Sequence, residues 1–164
     1  MRRLVFLFII IAGITMSGIA CTKSGDVPMA ETDIYYVDAR LNRLLPYSAK
    51  IIDAEPESMA KAALDKLIQG RDDNDNIRRI IPNKKDCLRV SVRDNVAYVD
   101  IDSSIKSGIN FNRDIERLFI YQIVNTLTEI KGIRFVKFTI DGAVHKDFLG
   151  FYDMRDTYKF TYPE

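Results

Sequence analysis

Tryptophan is absent from this 164-residue chain, histidine occurs once and cysteine twice. Each scarcity removes a class of chemistry. Nucleophilic catalysis of the Ser-His-Asp or Cys-His kind needs a base beside the nucleophile. The single histidine, His145, lies in a polar segment, so Cys87 with His145 is the one thiol–imidazole combination on offer. A lone loop histidine is a weak basis for it. Zinc sites draw on cysteine and histidine, and the chain is too poor in both. No glycine-rich phosphate loop follows a strand pattern. Neither sign of charge dominates, with 24 basic and 23 acidic side chains. There is no basic cluster with interleaved aromatics, so nothing draws the chain to nucleic acid. No catalytic residue, metal site or cofactor is therefore expected.

Long apolar runs are also scarce, and the one present stands at the N-terminus. Arg2 and Arg3 precede an apolar stretch over residues 4–14, broken by Gly13. Ser17, Gly18 and Ala20 follow, and then Cys21. A cationic start, a short apolar run and small residues are what secretion machinery reads. The run is shorter than the roughly 20 residues that span a bilayer. Cysteine directly after Gly18-Ile19-Ala20 resembles the lipobox of bacterial lipoproteins, with Gly18 where leucine is usual. Residues 1–20 are read as the signal peptide and Cys21 as the lipidation site. The alternatives are an ordinary cleaved signal, with Cys21 there by chance, or an uncleaved anchor. The domain then works at the cell membrane, on its extracytoplasmic face.

Removal of residues 1–20 leaves 144 residues carrying 22 basic and 23 acidic side chains. That is one ordinary domain, large enough for a core. With Cys21 acylated, Cys87 has no internal disulfide partner, and the fold must rest on packing. Cys87 is expected as a half-buried structural thiol. Residues 21–31 lack periodicity and read as a tether, able to reach about 30 Å at roughly 3.3 Å per residue.

Residues 34–38 are β-branched and aromatic and predict a strand. Residues 47–52 predict a weaker one, the two forming a loose hairpin. Pro56 opens a helix whose Met59, Ala60, Ala63, Leu64, Leu67 and Ile68 recur at three and four residues. Gly70 is placed to end it in a left-handed conformation. Residues 71–87 read as a polar loop. Asp72, Asp73, Asn74 and Asp75 invite a calcium reading, but counting from Asp73 puts Arg78 sixth and Lys84 twelfth. A calcium loop needs glycine and a closing acid there.

Residues 88–101 predict a hairpin with a two-residue turn at Asp94-Asn95. It sets Val92 opposite Ala97, Val90 opposite Val99 and Leu88 opposite Ile101, all on one face. Asp100 and Asp102 share a strand face and raise the question of paired carboxylates. A solvated sheet rim explains them better. A second helix is predicted from Asn112 to Ile130, capped by Asn112. Its stripe of Ile115, Leu118, Phe119, Ile123, Leu127 and Ile130 is widened by Ile120, Tyr121 and Val124. That implies burial on more than one side, or a surface for a partner. Residues 133–140 predict a strand, Asp141-Gly142 a turn, and residues 151–164 a strand-like tail with Tyr158, Phe160 and Tyr162 on one side.

These stretches resemble the GerMN domain of sporulation and spore-germination proteins and envelope lipoproteins. The matching stretches are residues 34–38, Leu67-Ile68-Gln69-Gly70, Ile81-Pro82, the hairpin residues 88–92 with 96–103, residues 123–130 with Gly132-Ile133, and Ile140-Asp141-Gly142. They cover a domain spanning about residues 32–150. The resemblance implies an α+β sandwich: a small mixed or antiparallel sheet with two helices on one face, akin to ring-building domains. It also implies a non-enzymatic binding or assembly role at the envelope, linked to sporulation or germination. The sporulation members carry two copies, and this chain has one. The partners expected are another envelope protein or a second copy, with the membrane reached through the lipid on Cys21. Edge-strand pairing by residues 157–162 is one means of docking. A peptidoglycan- or saccharide-binding accessory role is the alternative, favoured if tyrosines such as Tyr35, Tyr36, Tyr98, Tyr121, Tyr152, Tyr158 and Tyr162 form a row.

Overall fold

A computed structural model describes residues 27–71, 76–107 and 112–162. The lipidation candidate Cys21 and the acidic residues 72–75 lie outside the described residues. The chain is of the α+β class, with its strands divided between two three-stranded sheets. In the first, β1 (Met29–Asp38) lies between β2 (Arg43–Ile52) and the two-residue β3 (Ile77–Arg78). In the second, β5 (Val96–Ile101) lies between β4 (Leu88–Arg93) and β6 (Phe135–Ile140). Helices α1 (Pro56–Gln69) and α2 (Arg113–Thr128) pack on each other between the sheets.

The hairpin β4–β5 has the expected register: Leu88 faces Ile101, Val90 faces Val99 and Val92 faces Ala97. Asp94 and Asn95 both take positive φ, 52° and 64°. That is the geometry a two-residue turn demands of the right-handed twist. Strand β6 runs parallel to β5, and α2 makes the crossover a parallel pair requires. Val136, Phe138 and Ile140 turn inward, as expected.

The hairpin β1–β2 differs from its expectation. It pairs over ten residues, from Met29 opposite Ile52 to Asp38 opposite Arg43. Strand β1 thus starts five residues before Ile34 and takes in residues 29–31, which had been assigned to the tether. Far from loose, the turn is tied by the Asp38 carboxylate, which accepts from the N–H groups of Arg40 (2.9 Å) and Leu41 (2.7 Å). Pro46 lies within β2, opposite Tyr35. The Tyr35 N–H points away from β2, to Thr126 Oγ1 at 2.9 Å. Pro46 therefore occupies a place in the ladder where no N–H is required.

Helix α1 buries the six residues its periodicity singled out. Glu55 makes no side-chain cap, but the Glu57 carboxylate accepts from Val92 N–H at 2.9 Å and pins α1 to β4. Gly70 has φ 72° but ψ −169°, an extended rather than left-handed helical end. Arg79 closes that end. Its guanidinium donates to the carbonyls of Ile68 (2.8 Å) and Gln69 (2.9 Å), satisfying acceptors the helix end leaves bare. A Cβ on Gly70 would stand 2.6 Å from that guanidinium.

Helix α2 opens on the expected cap, Asn112 Oδ1 accepting from Ile115 N–H at 2.9 Å. Ile115, Leu118, Phe119, Ile120, Ile123, Val124 and Leu127 are all buried. So are the polar Glu116, Gln122, Asn125 and Thr126, because the sheets and the segments after β6 pack against the helix on more than one side. Burial on more than one side is thus the outcome for the widened stripe. Each such aliphatic side chain contributes about 1.5–3 kcal/mol. Phe119 stacks on Phe148 at 5.3 Å between centroids.

The C-terminal segment does not form a ladder. A single antiparallel bridge joins Tyr158 to Val136, with backbone bonds of 2.8 and 2.9 Å. Asn125 then holds Thr161, its Nδ2 donating to the Thr161 carbonyl (2.8 Å) and its Oδ1 accepting the Thr161 N–H (3.2 Å). The backbone groups through which residues 157–162 were expected to dock elsewhere are in part satisfied inside the fold. The segment crosses from β6 over α2 to the first sheet, where Phe160 meets Tyr35 edge-on.

Candidate functional site

Asp100 and Asp102 lie at the carboxyl end of β5, and Asp141 lies just beyond β6. The topology brings all three to one corner of the second sheet. Asp100 Oδ1 accepts from Thr139 Oγ1 (2.8 Å) and from the Gly142 N–H (2.7 Å), and Oδ2 pairs with Arg89. Partial burial pushes its carboxyl up, but Arg89 and the two hydrogen bonds outweigh that and hold it below the usual aspartate range. Asp102 accepts from Ser104 N–H (2.9 Å) and lies 3.4 Å from Lys84 Nζ. Asp141, at φ 49°, accepts from Ser103 N–H (3.0 Å). Both carboxyls are held below the usual range, chiefly by the hydroxyls of Ser104 and Ser103 and then by those N–H bonds.

A general acid must keep its proton near working pH, and a general base must be free to take one. These carboxylates are ionised and engaged by backbone and side-chain donors, so the corner is a structural clasp. It fastens the Asp141-Gly142 turn and the 3-10 turn Ser103–Lys106 to the sheet. Among the described residues no group of three or more His, Cys, Asp or Glu could hold a metal ion.

Cys87 and His145 stand in unlike surroundings. Cys87 is completely buried, not half-buried, and burial pushes its thiol up, away from the thiolate a nucleophile needs. His145 is exposed. The buried acid sequence reasoning missed is Glu116, which the stripe rule counts as an outward position. Its carboxylate accepts the N–H groups of Leu149 (3.2 Å) and Phe151 (3.1 Å) and so organises the loop after β6. Burial pushes its carboxyl above the usual glutamate range against those bonds.

The tyrosines form no row. Tyr35 and Tyr36 are buried, and their hydroxyls donate to Glu129 Oε1 (2.9 Å) and the Lys66 carbonyl (3.0 Å). Tyr121 meets Tyr158 edge-on, as does Phe160 with Tyr162. Tyr98 sits alone on the outer face of β5 under the Arg93 guanidinium. Only Tyr162, 82% exposed, presents most of its ring. Edge-on pairs leave no flat platform for a sugar ring.

Two sheets around two helices, with acids used as clasps, define a small α+β domain whose resources lie in its surfaces and edges. A family model described as "Germane: Sporulation and spore germination" matches residues 33–146, and the chain belongs to that family. Among solved structures, the tandem GerMN domains of the sporulation protein GerM from Bacillus subtilis match with a TM-score of 0.63 at 22% identity. That match covers 80% of this chain and 46% of the tandem structure, so this chain spans about half of it. The first GerMN domain of GerM alone matches with a TM-score of 0.58 at 20% identity, covering 80% and 97%. A candidate lipoprotein from Clostridium perfringens matches with a TM-score of 0.56 at 16% identity, covering 81% and 89%. At these identities the structures share the fold. No curated protein sequence matches the chain.

Proposed function

We propose that this chain is a lipoprotein of the bacterial envelope, anchored through Cys21 on the extracytoplasmic face. Its domain binds another envelope protein without catalysing a reaction, in a process linked to sporulation or germination. The observation that carries the reading is the order of residues 2–21: two arginines, an apolar run too short to span, small residues, then cysteine. The family's description, the likeness to a candidate lipoprotein and the engagement of every carboxylate in the acidic corner support it. The domain is held close to its anchor. Strand β1 begins at Met29, and Asp53 N–H bonds the Pro28 carbonyl at 2.9 Å, so few residues after Cys21 remain for a tether. A protein partner is preferred to a saccharide because the tyrosines pack edge-on.

The test compares the expressed wild type with Cys21→Ser by detergent partitioning and intact mass. A wild type that enters the detergent phase with a diacylglyceryl-sized adduct, both lost in the variant, sustains the lipoprotein reading. Cleavage before residue 21 without lipid makes the domain a free secreted binder. Retention of residues 1–20 makes them an anchor.

A further inference from the structure

We propose that the open edge of β1 takes up an extended segment of the partner protein as an added strand, with an apolar side chain seated in the adjoining groove and lysine or arginine beside it. The inference rests on the protein-binding reading above and names the surface that would serve it.

The edge follows from the register. Asp53 N–H bonds the Pro28 carbonyl and Tyr35 N–H points away from β2, so even-numbered residues of β1 pair with β2 and odd-numbered ones point outward. Ala39 donates to the Asn76 carbonyl, Val37 lies opposite Arg78 in β3, and Tyr35 donates to Thr126 on α2. Beyond them the cover ends. Among the described residues nothing bonds the outward N–H and C=O groups of Asp33, Glu31 and Met29. Three successive outward positions are therefore left as a template, and an exposed strand edge pairs with whatever extended backbone reaches it.

The groove lies against that edge. It has a volume of about 500 Å³, between Ala30, Glu31 and Thr32 on one side and the turn from Glu129 to Gly132 on the other. Its apolar wall includes Met59, Pro56 and Ile130, and the exposed pair Met29 (52%) and Ile52 (55%) extends apolar surface beyond it. Its charged residues are Glu31, Asp53 and Glu129 against one base, Lys131. The carboxylates of Glu31 and Asp53 have no hydrogen bond or ion pair to any described residue. An excess of acid beside an apolar wall selects cationic side chains around an apolar anchor. The free amide edge selects an extended polypeptide over a lipid or a sugar.

The probe is a fluorescein-labelled heptapeptide with one central leucine, flanking threonines and lysine at each end, added to the full chain. Glu31→Pro removes an outward N–H without touching the β1–β2 ladder. Asp53→Lys reverses a rim charge and leaves the edge alone. We expect each substitution to weaken binding at least tenfold at unchanged melting temperature, and bound peptide to slow hydrogen exchange at Glu31 and Asp33. The proposal is overturned by no binding at millimolar peptide, by wild-type affinity in either variant, or by equal binding of a control with glutamate at each end. It is also overturned if those amides are already protected without peptide, which would mean the protein's own chain fills the edge. A photocrosslinker placed at Glu31 or at Tyr98 in cell envelopes separates this from the wider reading. Crosslinks from Tyr98 but not Glu31 overturn the groove and keep the protein partner. Crosslinks from neither position overturn both.

Discussion

The two hairpins are built from similar materials and held by different means. In β4–β5 the turn is made by backbone alone, with Asp94 and Asn95 at positive φ, and the strands alternate buried and wetter residues. In β1–β2 the turn is tied by a side chain, Asp38, and residues 34–38 are buried on both faces. The central strand of the second sheet is paired along its length on both sides, whereas β1 is paired on its outer side only near its end. A hairpin with one wet face is specified by its own pattern. One enclosed on both faces is specified by what surrounds it, and it keeps an edge to spare where the surroundings stop.

Equivalent truncations should separate the two sheets most. Ile101 at the centre of the second sheet and Ile51 in the outermost strand of the first are both buried. Ile→Ala costs about 2–5 kcal/mol, more where neighbours cannot collapse into the gap. Ile101→Ala is expected at the upper end and Ile51→Ala at the lower, by urea denaturation. The reverse order would break the comparison. The turns come next. Asp38→Ala leaves two N–H groups without their acceptor and should cost about 1–3 kcal/mol. Asn95→Val forces a β-branched residue into positive φ and should cost about 1–2 kcal/mol. If Asp38→Ala is silent, the first turn is also a backbone device.

A pH series sharpens the contrast between two carboxylates. Asp100 is held below the usual range, so its contribution is present above the ordinary aspartate pKa and is lost as pH falls through the lowered one. Glu116 is held above the usual range, so stability falls as pH rises from the ordinary glutamate pKa toward the raised one. Asp100→Asn should flatten the acid limb of stability against pH, and Glu116→Gln the limb above it. The smallest effect is expected at Thr32, whose buried hydroxyl has no partner among the described residues. Thr32→Val should be neutral or stabilising within about 0.5 kcal/mol in the same denaturation assay.

Much of this was legible in the chain because it depends on local pattern. The stripe of α1, the Asn112 cap and the register of β4–β5 each follow from a period or a turn rule satisfied within a few residues. What escaped depends on distant partners. Residues 29–31 carry no strand signal, since Ala30 and Glu31 acquire their roles from Ile51 and Lys50 opposite them. Glu116 reads as an outward position until the loop at Leu149 and Phe151 folds over it. Division of the strands between two sheets is invisible to periodicity, which reports faces and not neighbours. The acid-rimmed groove was missed for the same reason: Glu31, Asp53 and Glu129 stand far apart along the chain and meet only where β1, α1 and α2 converge. The one available clue was the exposed pair Met29 and Ile52, apolar residues at the margin of a strand.

The clasp between Arg79 and the end of α1 leaves a mark outside this molecule. The guanidinium fills the space a side chain at position 70 would need, and the positive φ there strains any side chain besides, so glycine at 70 is required on two counts while Arg79 stays. Across relatives aligned to this chain, glycine at position 70 is expected wherever arginine stands at 79, and it is expected to persist in relatives that lose the arginine but keep the helix end at positive φ.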